Sequence, residues 1–327
     1  MTSRFFVAAA FYLCAAISIV CFEGQAKASG SYPDRPIRLV VPWPPGSGGD
    51  IAGRMVANKL TELLGKSVYV DNRGGAGGTI GSHSARREAA DGYTLILGNS
   101  TSHGSAQVLF PNAYNAATDF TPISLIYRNM LAVAVKRDLP VATIPELVAY
   151  AKARPGELGF GTPGMGTPHQ LAGEILKQKA GIEMIHLPYQ GGGPAMRDLV
   201  GGHIPVVVGA LSTALENHRA GRIKILALTE AERLKSLPDV PIVADYYAPF
   251  DFYGWGAILG PPGLPDAIVA RLNAAIRTAL ESDDLRKIMS AAGFTPEASS
   301  PEQLRERIES ETSRWEDVVK SGVKIRK

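Results

Sequence analysis

Three short stretches concentrate glycine with serine and threonine, and each follows a run that reads as a strand. They are Pro42-Trp43-Pro44-Pro45-Gly46-Ser47-Gly48-Gly49-Asp50, Gly98-Asn99-Ser100-Thr101-Ser102-His103-Gly104 and Gly161-Thr162-Pro163-Gly164-Met165-Gly166-Thr167. In open α/β sheets ligands bind beyond the carboxyl ends of the strands. Glycine lets backbone N–H groups approach an anion there, and a helix N-terminus adds partial positive charge. Two such loops facing each other would hold a carboxylate without any arginine. Each loop also has a plainer reading. Pro-Pro-Gly is turn chemistry, and Thr167-Pro168-His169-Gln170 has the form of a capping box with proline first in the helix. A cap leaves other first-turn donors free, so the two readings are compatible. Trp43 fits either a pocket wall or a packed core side chain.

Enzyme signatures are missing. Gly65-Lys66 has no upstream glycine at Walker A spacing, and residues 74–81 do not match G-x-G-x-x-G. The segment 98–102 fails the last position of a nucleophile elbow. The six histidines are scattered without metal-ligand spacing; His103 and His169 alone fall in candidate site loops. The expectation is therefore a binding protein and not an enzyme, with no cofactor and no metal.

These loops need strands and helices to position them, and the chain supplies both in alternation, as βαβ units do. Strands are expected at 37–41, 67–71, 93–98, 131–135, 157–161, 183–187, 204–208 and 223–228. Helices are expected at 50–64, 144–153, 168–180, 193–200 and 212–220, with the last 65 or so residues mostly helical. Trp255 falls in a further strand, Tyr253 to Leu259, that reads as a return crossing between lobes, and Trp315 reads as packing on the last helix. The chain has 327 residues, 45% hydrophobic and 20% charged, enough for two cores. A net charge of +3 without basic runs argues against nucleic acid. Arg4, the apolar stretch Phe5 to Phe22 and Ala26-Lys27-Ala28 have the order of a secretory leader over residues 1–28. An uncleaved anchor competes on length, but the small-residue site favours cleavage, and Ile19 and Val20 before Cys21 disfavour lipid attachment. Both cysteines, Cys14 and Cys21, lie in that leader, so the exported chain would use no thiol chemistry.

In these motifs the sequence resembles the Bug family, the receptors of tripartite tricarboxylate transporters. The similarity runs from Tyr32-Pro33-Asp34-Arg35-Pro36 through Asn72-Arg73-Gly74-Gly75-Ala76-Gly77-Gly78, Asp91-Gly92-Tyr93, the 161–174 segment, His186-Leu187-Pro188-Tyr189 and Leu237-Pro238-Asp239 to Pro261-Pro262-Gly263-Leu264-Pro265. The resemblance implies a two-lobe α/β fold of the type II periplasmic-binding kind with crossover strands. Lobe 1 would take residues 31–125 plus 256–327, and lobe 2 residues 126–255. It implies a monomeric periplasmic receptor that passes a small carboxylate to membrane permease subunits. Ligand-binding positions carried over are Gly46, Ser47, Gly48, Asp50, Ser100, Thr101, Ser102, Gly164, Met165, Gly166 and Thr167, beside Trp43 and His169 from the loops themselves. Trp43 and Ser47 depart from the usual phenylalanine and glycine, and His169 and Gln170 replace a histidine usual one position later. Gly209 stands where an aspartate is common, which disfavours an amino-acid ligand unless Asp50 meets its ammonium. An exported sensor component would show the same features.

Overall fold

A computed structural model describes residues 32–110, 114–234 and 237–321; the expected leader over 1–28, with both cysteines, lies outside them. Among the described residues ten strands follow one another: β1 (Ile37–Val41), β2 (Val68–Asn72), β3 (Thr94–Asn99), β4 (Thr121–Lys136), β5 (Leu158–Thr162), β6 (Met184–Pro188), β7 (Val206–Ala210), β8 (Ile223–Leu228), β9 (Tyr253–Gly260) and the two-residue β10 (Thr295–Pro296). In the first lobe β2, β1 and β3 run parallel. Successive residues of a strand face opposite sides, so Ile37, Leu39 and Val41 join Val56 and Leu60 of the Gly48–Leu64 helix, while Val40 joins a second cluster with Ile96 and Leu259. Gly65 ends that helix at φ 67°, donating to the Thr61 carbonyl at 3.1 Å. A left-handed residue at that point is natural for glycine.

The sheets are mixed where the sequence suggested parallel ones, because two strands cross between lobes. β9 runs antiparallel to β3 on one side and to β4 on the other. β4 spans 16 residues, and the strand expected at 131–135 is only its second half. Its first half hides from periodicity because Pro122, Ser124, Arg128 and Asn129 interrupt the apolar run and two bulges break the register against β9. Ser299 satisfies part of that irregular backbone: Leu125 N–H donates to its hydroxyl at 3.0 Å. From Leu131 on, β4 exchanges β9 for β7 and β8, and β5 then pairs parallel with β7 and β6. β7 starts two residues later than expected, since the His203 and Ile204 amides turn back to the Asp198 carbonyl. The glycine-rich 74–81 segment follows closely on β2, which ends at Asn72.

The Pro301–Lys320 helix ties the two lobes. Ser300 and Gln303 cap its start reciprocally, at 3.1 and 2.8 Å. Leu304 and Ile308 then pack with Val40 and Leu125 of the first lobe. Two turns later Trp315 and Val318 lie in the second-lobe core with Leu131, Phe160 and Val208. Trp315 is fully buried. Trp315→Ala should cost about 3–5 kcal/mol in urea unfolding, and Trp315→Phe much less. Equal, small losses would show that this end of the helix is not held by packing.

Candidate functional site

At the crossing of the lobes lies a cavity of about 110 Å³. The first lobe contributes Asn99, Ser100 and Thr101, from the end of β3 and the Ser100–Ser105 turn, which is wound as a π-helix. The crossing strands contribute Tyr127 and Asn129 from β4 and Gly254 and Trp255 from β9. The second lobe contributes Thr167, Pro168 and His169, the first residues of the Pro168–Ala180 helix and its cap. None of these side chains carries a formal charge at neutral pH, and among the described residues no acidic, histidine or cysteine cluster could hold a metal.

Many of the amides in the second and third loops already have acceptors. Asn99 Oδ1 accepts from Thr101 N–H at 3.0 Å and Ser102 N–H at 2.9 Å, and Ser102 Oγ accepts from Asn99 N–H at 3.1 Å. Ser102 is thus a buried capping residue. Ser100 Oγ accepts from Trp255 N–H at 2.8 Å, which leaves its O–H free to donate. In the third loop Gly166 N–H donates to Gln170 Oε1 at 2.8 Å, and Thr167 Oγ accepts from Gln170 N–H at 3.4 Å while donating to the Gly164 carbonyl at 2.8 Å. The amides of Met165, Thr167 and His169 have no acceptor among the described residues. Gly166 touches the first lobe, where its carbonyl accepts from Ser105 Oγ at 2.6 Å. Met165 is exposed.

The first loop stands beside this cavity and does not line it. Gly46 N–H donates to Asp50 Oδ2 at 2.9 Å, Asn72 Nδ2 donates to Oδ1 at 2.9 Å, and Arg54 pairs with the same carboxylate at 3.0 Å. Burial alone would raise the Asp50 carboxyl, but the hydrogen bonds from Arg54, Gly46 and Asn72 outweigh it and hold the group below its usual range. Ser47 caps the helix through Asp50 N–H at 3.3 Å, and the Gly48 and Gly49 amides remain without acceptors among the described residues. Trp43 is wedged between two glycines: a Cβ on Gly49 or Gly78 would come within 3.0 or 3.1 Å of its ring. Its partly buried ring packs against the first-lobe core. Contact with the cavity is indirect, since Gly48 faces Phe294, whose ring lies 4.6 Å from that of Tyr127.

Sequence reasoning missed Tyr127, Asn129 and Gly254, all on strand segments whose pairing only the tertiary structure reveals. Gly256 offered a faint signal, because a Cβ there would lie 2.3 Å from the Tyr127 ring.

Two buried histidines flank the site. Both ring nitrogens of His169 are buried without a hydrogen-bond partner, and burial pushes the imidazole down to about 3. His103 folds back over Gly98 with Nδ1 3.0 Å from Ser102 Oγ and its ring 4.6 Å from Phe120, and burial likewise brings it to about 3. Both are neutral at physiological pH.

The family model described as the tripartite tricarboxylate transporter family receptor matches residues 52–323. The chain belongs to this family. Protein BugT of Bordetella pertussis is 35% identical over 300 residues, covering 90% of this chain and 92% of its own. Two solved structures resemble the receptor closely. Rpa4515 of R. palustris, solved with adipate, has a TM-score of 0.77 at 33% identity over 88% of this chain and 97% of its own. MatC from Rhodopseudomonas palustris, with bound malate, has 0.75 at 30% over 88% and 100%. These relatives identify the protein as a solute-binding receptor with the two-lobe fold of periplasmic binding proteins.

A histidine held neutral when folded but protonated when unfolded contributes stability that is full above pH 6.5 and is lost as pH falls toward 3. The thermal midpoint of the receptor should therefore drop between pH 7 and 5, and His169→Phe should lessen that drop. An unchanged drop would show that His169 is not held neutral by the fold.

Proposed function

We propose that the receptor captures a small carboxylate in the cavity between its lobes, in the periplasm after loss of the 1–28 leader. It then presents the closed form to membrane permease subunits of a tripartite tricarboxylate-type transporter. The observation that carries this reading is a polar cavity without fixed charge, lined by hydroxyls from one lobe and by a helix N-terminus from the other. A carboxylate there gains hydrogen bonds worth about 1.5–3 kcal/mol each, and the first turn of the Pro168–Ala180 helix supplies free donors and partial positive charge. The related structures, one solved with adipate and one with bound malate, support an acid as the solute class.

The lobes proposed to close are residues 31–125 with 256–327 and residues 126–255, moving about β4 and β9. Thr101, Ser100, Thr167 and His169 would meet the ligand directly. Gly46, Ser47 and Asp50 would shape the helix entry that leaves the Gly48 amide free. Ser102, Gly164 and Gly166 would set the turns, and Trp43 and Met165 would border the cleft. Because both Asp50 oxygens are engaged, an ammonium group finds no open carboxylate there, and simple acids are favoured over amino acids. No reaction is proposed. The contact between Ser102 and His103 joins a buried capping hydroxyl to an imidazole with no carboxylate partner among the described residues, which is not the arrangement of an activated nucleophile.

The test is a thermal-shift screen of mono-, di- and tricarboxylic and aromatic acids, since a ligand at 100 times its Kd adds about 2.7 kcal/mol. Thr167→Ala should weaken the best acid about tenfold, beyond a capping loss of about 1 kcal/mol in stability, and Gly46→Val should weaken it through the helix entry. A screen with no responding acid, or wild-type affinity in both variants, overturns this assignment.

A further inference from the structure

The C-terminal helix carries one acidic residue at the junction of the lobes that capture of the solute does not directly use. Glu311 lies between Ile308, in the first-lobe core, and Trp315, in the second. It is 3% exposed. Its Oε2 accepts a hydrogen bond from the Trp255 indole, and Oε1 has no partner among the described residues.

The groups around it neutralise it only in part, through one loose ion pair with no hydrogen bond. Arg307, one turn earlier, has its Nε 3.9 Å from Oε2, too far for a hydrogen bond, and its guanidinium lies 3.8 Å over the Tyr253 ring of β9. Arg314, on the same helix, turns to the Asp251 carbonyl at 2.7 Å. From the Ser100–Ser105 turn, Gly104 packs so closely that a Cβ would lie 2.8 Å from Oε1, and the adjacent His103 is neutral. Burial pushes the Glu311 carboxyl up to about 7, with Arg307 and the Trp255 indole acting against the rise.

Trp255 connects this carboxyl to the cavity. Glu311 holds its indole, its own amide fixes the Ser100 hydroxyl at 2.8 Å, and the residue itself lines the cavity. We propose that Glu311 is a positioning residue whose proton is linked to solute capture, so that the receptor takes up a proton as it binds its acid. This inference rests on the carboxylate reading. Two anions separated by one layer of side chains repel in a poorly screened interior. The coupling is reciprocal: protonating Glu311 tightens the anion, and the anion raises the proton affinity of Glu311.

The experiment is calorimetric titration with adipate and with malate at pH 6.5 and 8, in buffers of different ionisation enthalpy. A simple carboxyl stays ionised in solution across this window. Wild type should bind about three- to eightfold tighter at pH 6.5 than at pH 8, with net proton uptake. Glu311→Gln, which keeps an acceptor for the Trp255 indole, should bind at pH 8 about as tightly as wild type does at pH 6.5, without proton uptake. His103→Gln, at the other buried histidine and outside the cavity lining, should retain the uptake. An acid that binds with no uptake in wild type, or with equal uptake in Glu311→Gln, overturns the coupling and leaves the carboxylate reading standing. Uptake lost in a His103→Gln variant that still binds the acid overturns the assignment to Glu311, and decides the matter even if Glu311→Gln does not fold. If neither acid binds at any pH and the wider screen is also silent, the carboxylate reading fails and the coupling with it.

Discussion

One strand belonging to two sheets is the constraint from which the rest of this molecule follows. Over its first ten residues β4 pairs with β9, and over its last six with β7 and β8. The hinge is therefore hydrogen-bonded ribbon, and no flexible linker is needed. Thr229 reinforces the crossing, its N–H donating to the Leu131 carbonyl at 3.2 Å and its hydroxyl to the Phe252 carbonyl at 2.5 Å. Ribbon of this kind bends and twists without losing its backbone bonds. The β4–β9 register shift between Leu125 and Tyr127 lies beside a cavity residue, where such bending moves the cavity floor most directly.

Electrostatics at this crossing run on burial more than on ion pairs. The cavity wall has no fixed charge, and the titratable groups behind it are displaced in opposite senses. His103 and His169 are kept neutral and favour the fold as pH rises. Glu311 has the reverse sign. Its folded-state carboxyl binds protons more tightly than an ordinary glutamate, so its contribution is full below the usual carboxyl range and is lost as pH climbs through about 7. A chain carrying both kinds of group has its stability spread across mild pH.

Much of this was legible in the residues. The capping box read at Thr167-Pro168-His169-Gln170 marks a helix start that the structure reproduces, whereas the first helix begins at Gly48, behind its Ser47 cap, two residues earlier than expected. The alternation of strands and helices gave the fold class. What stayed hidden depended on contacts far apart in sequence. The first half of β4 is an apolar run interrupted by Pro122, Ser124 and Arg128 and bulged against β9, so no local period marks it. The partners of the loop amides were equally invisible: only the folded chain shows that Asp50 occupies the Gly46 donor while the Gly48 and Gly49 donors stay open. The family motif identified the loops, and the folded chain sorted their donors into engaged and open.

The helix that begins against one core and ends in the other acts as a cross-brace on the hinge. Twenty residues of helix form a rod roughly 30 Å long, and widening the cleft must tilt that rod or draw the Trp315 indole from its socket. How far the receptor can gape is thus limited by the packing that it can forfeit at the far end of the brace. A molecule built this way gives up some travel between its jaws in return for a well-defined resting pose.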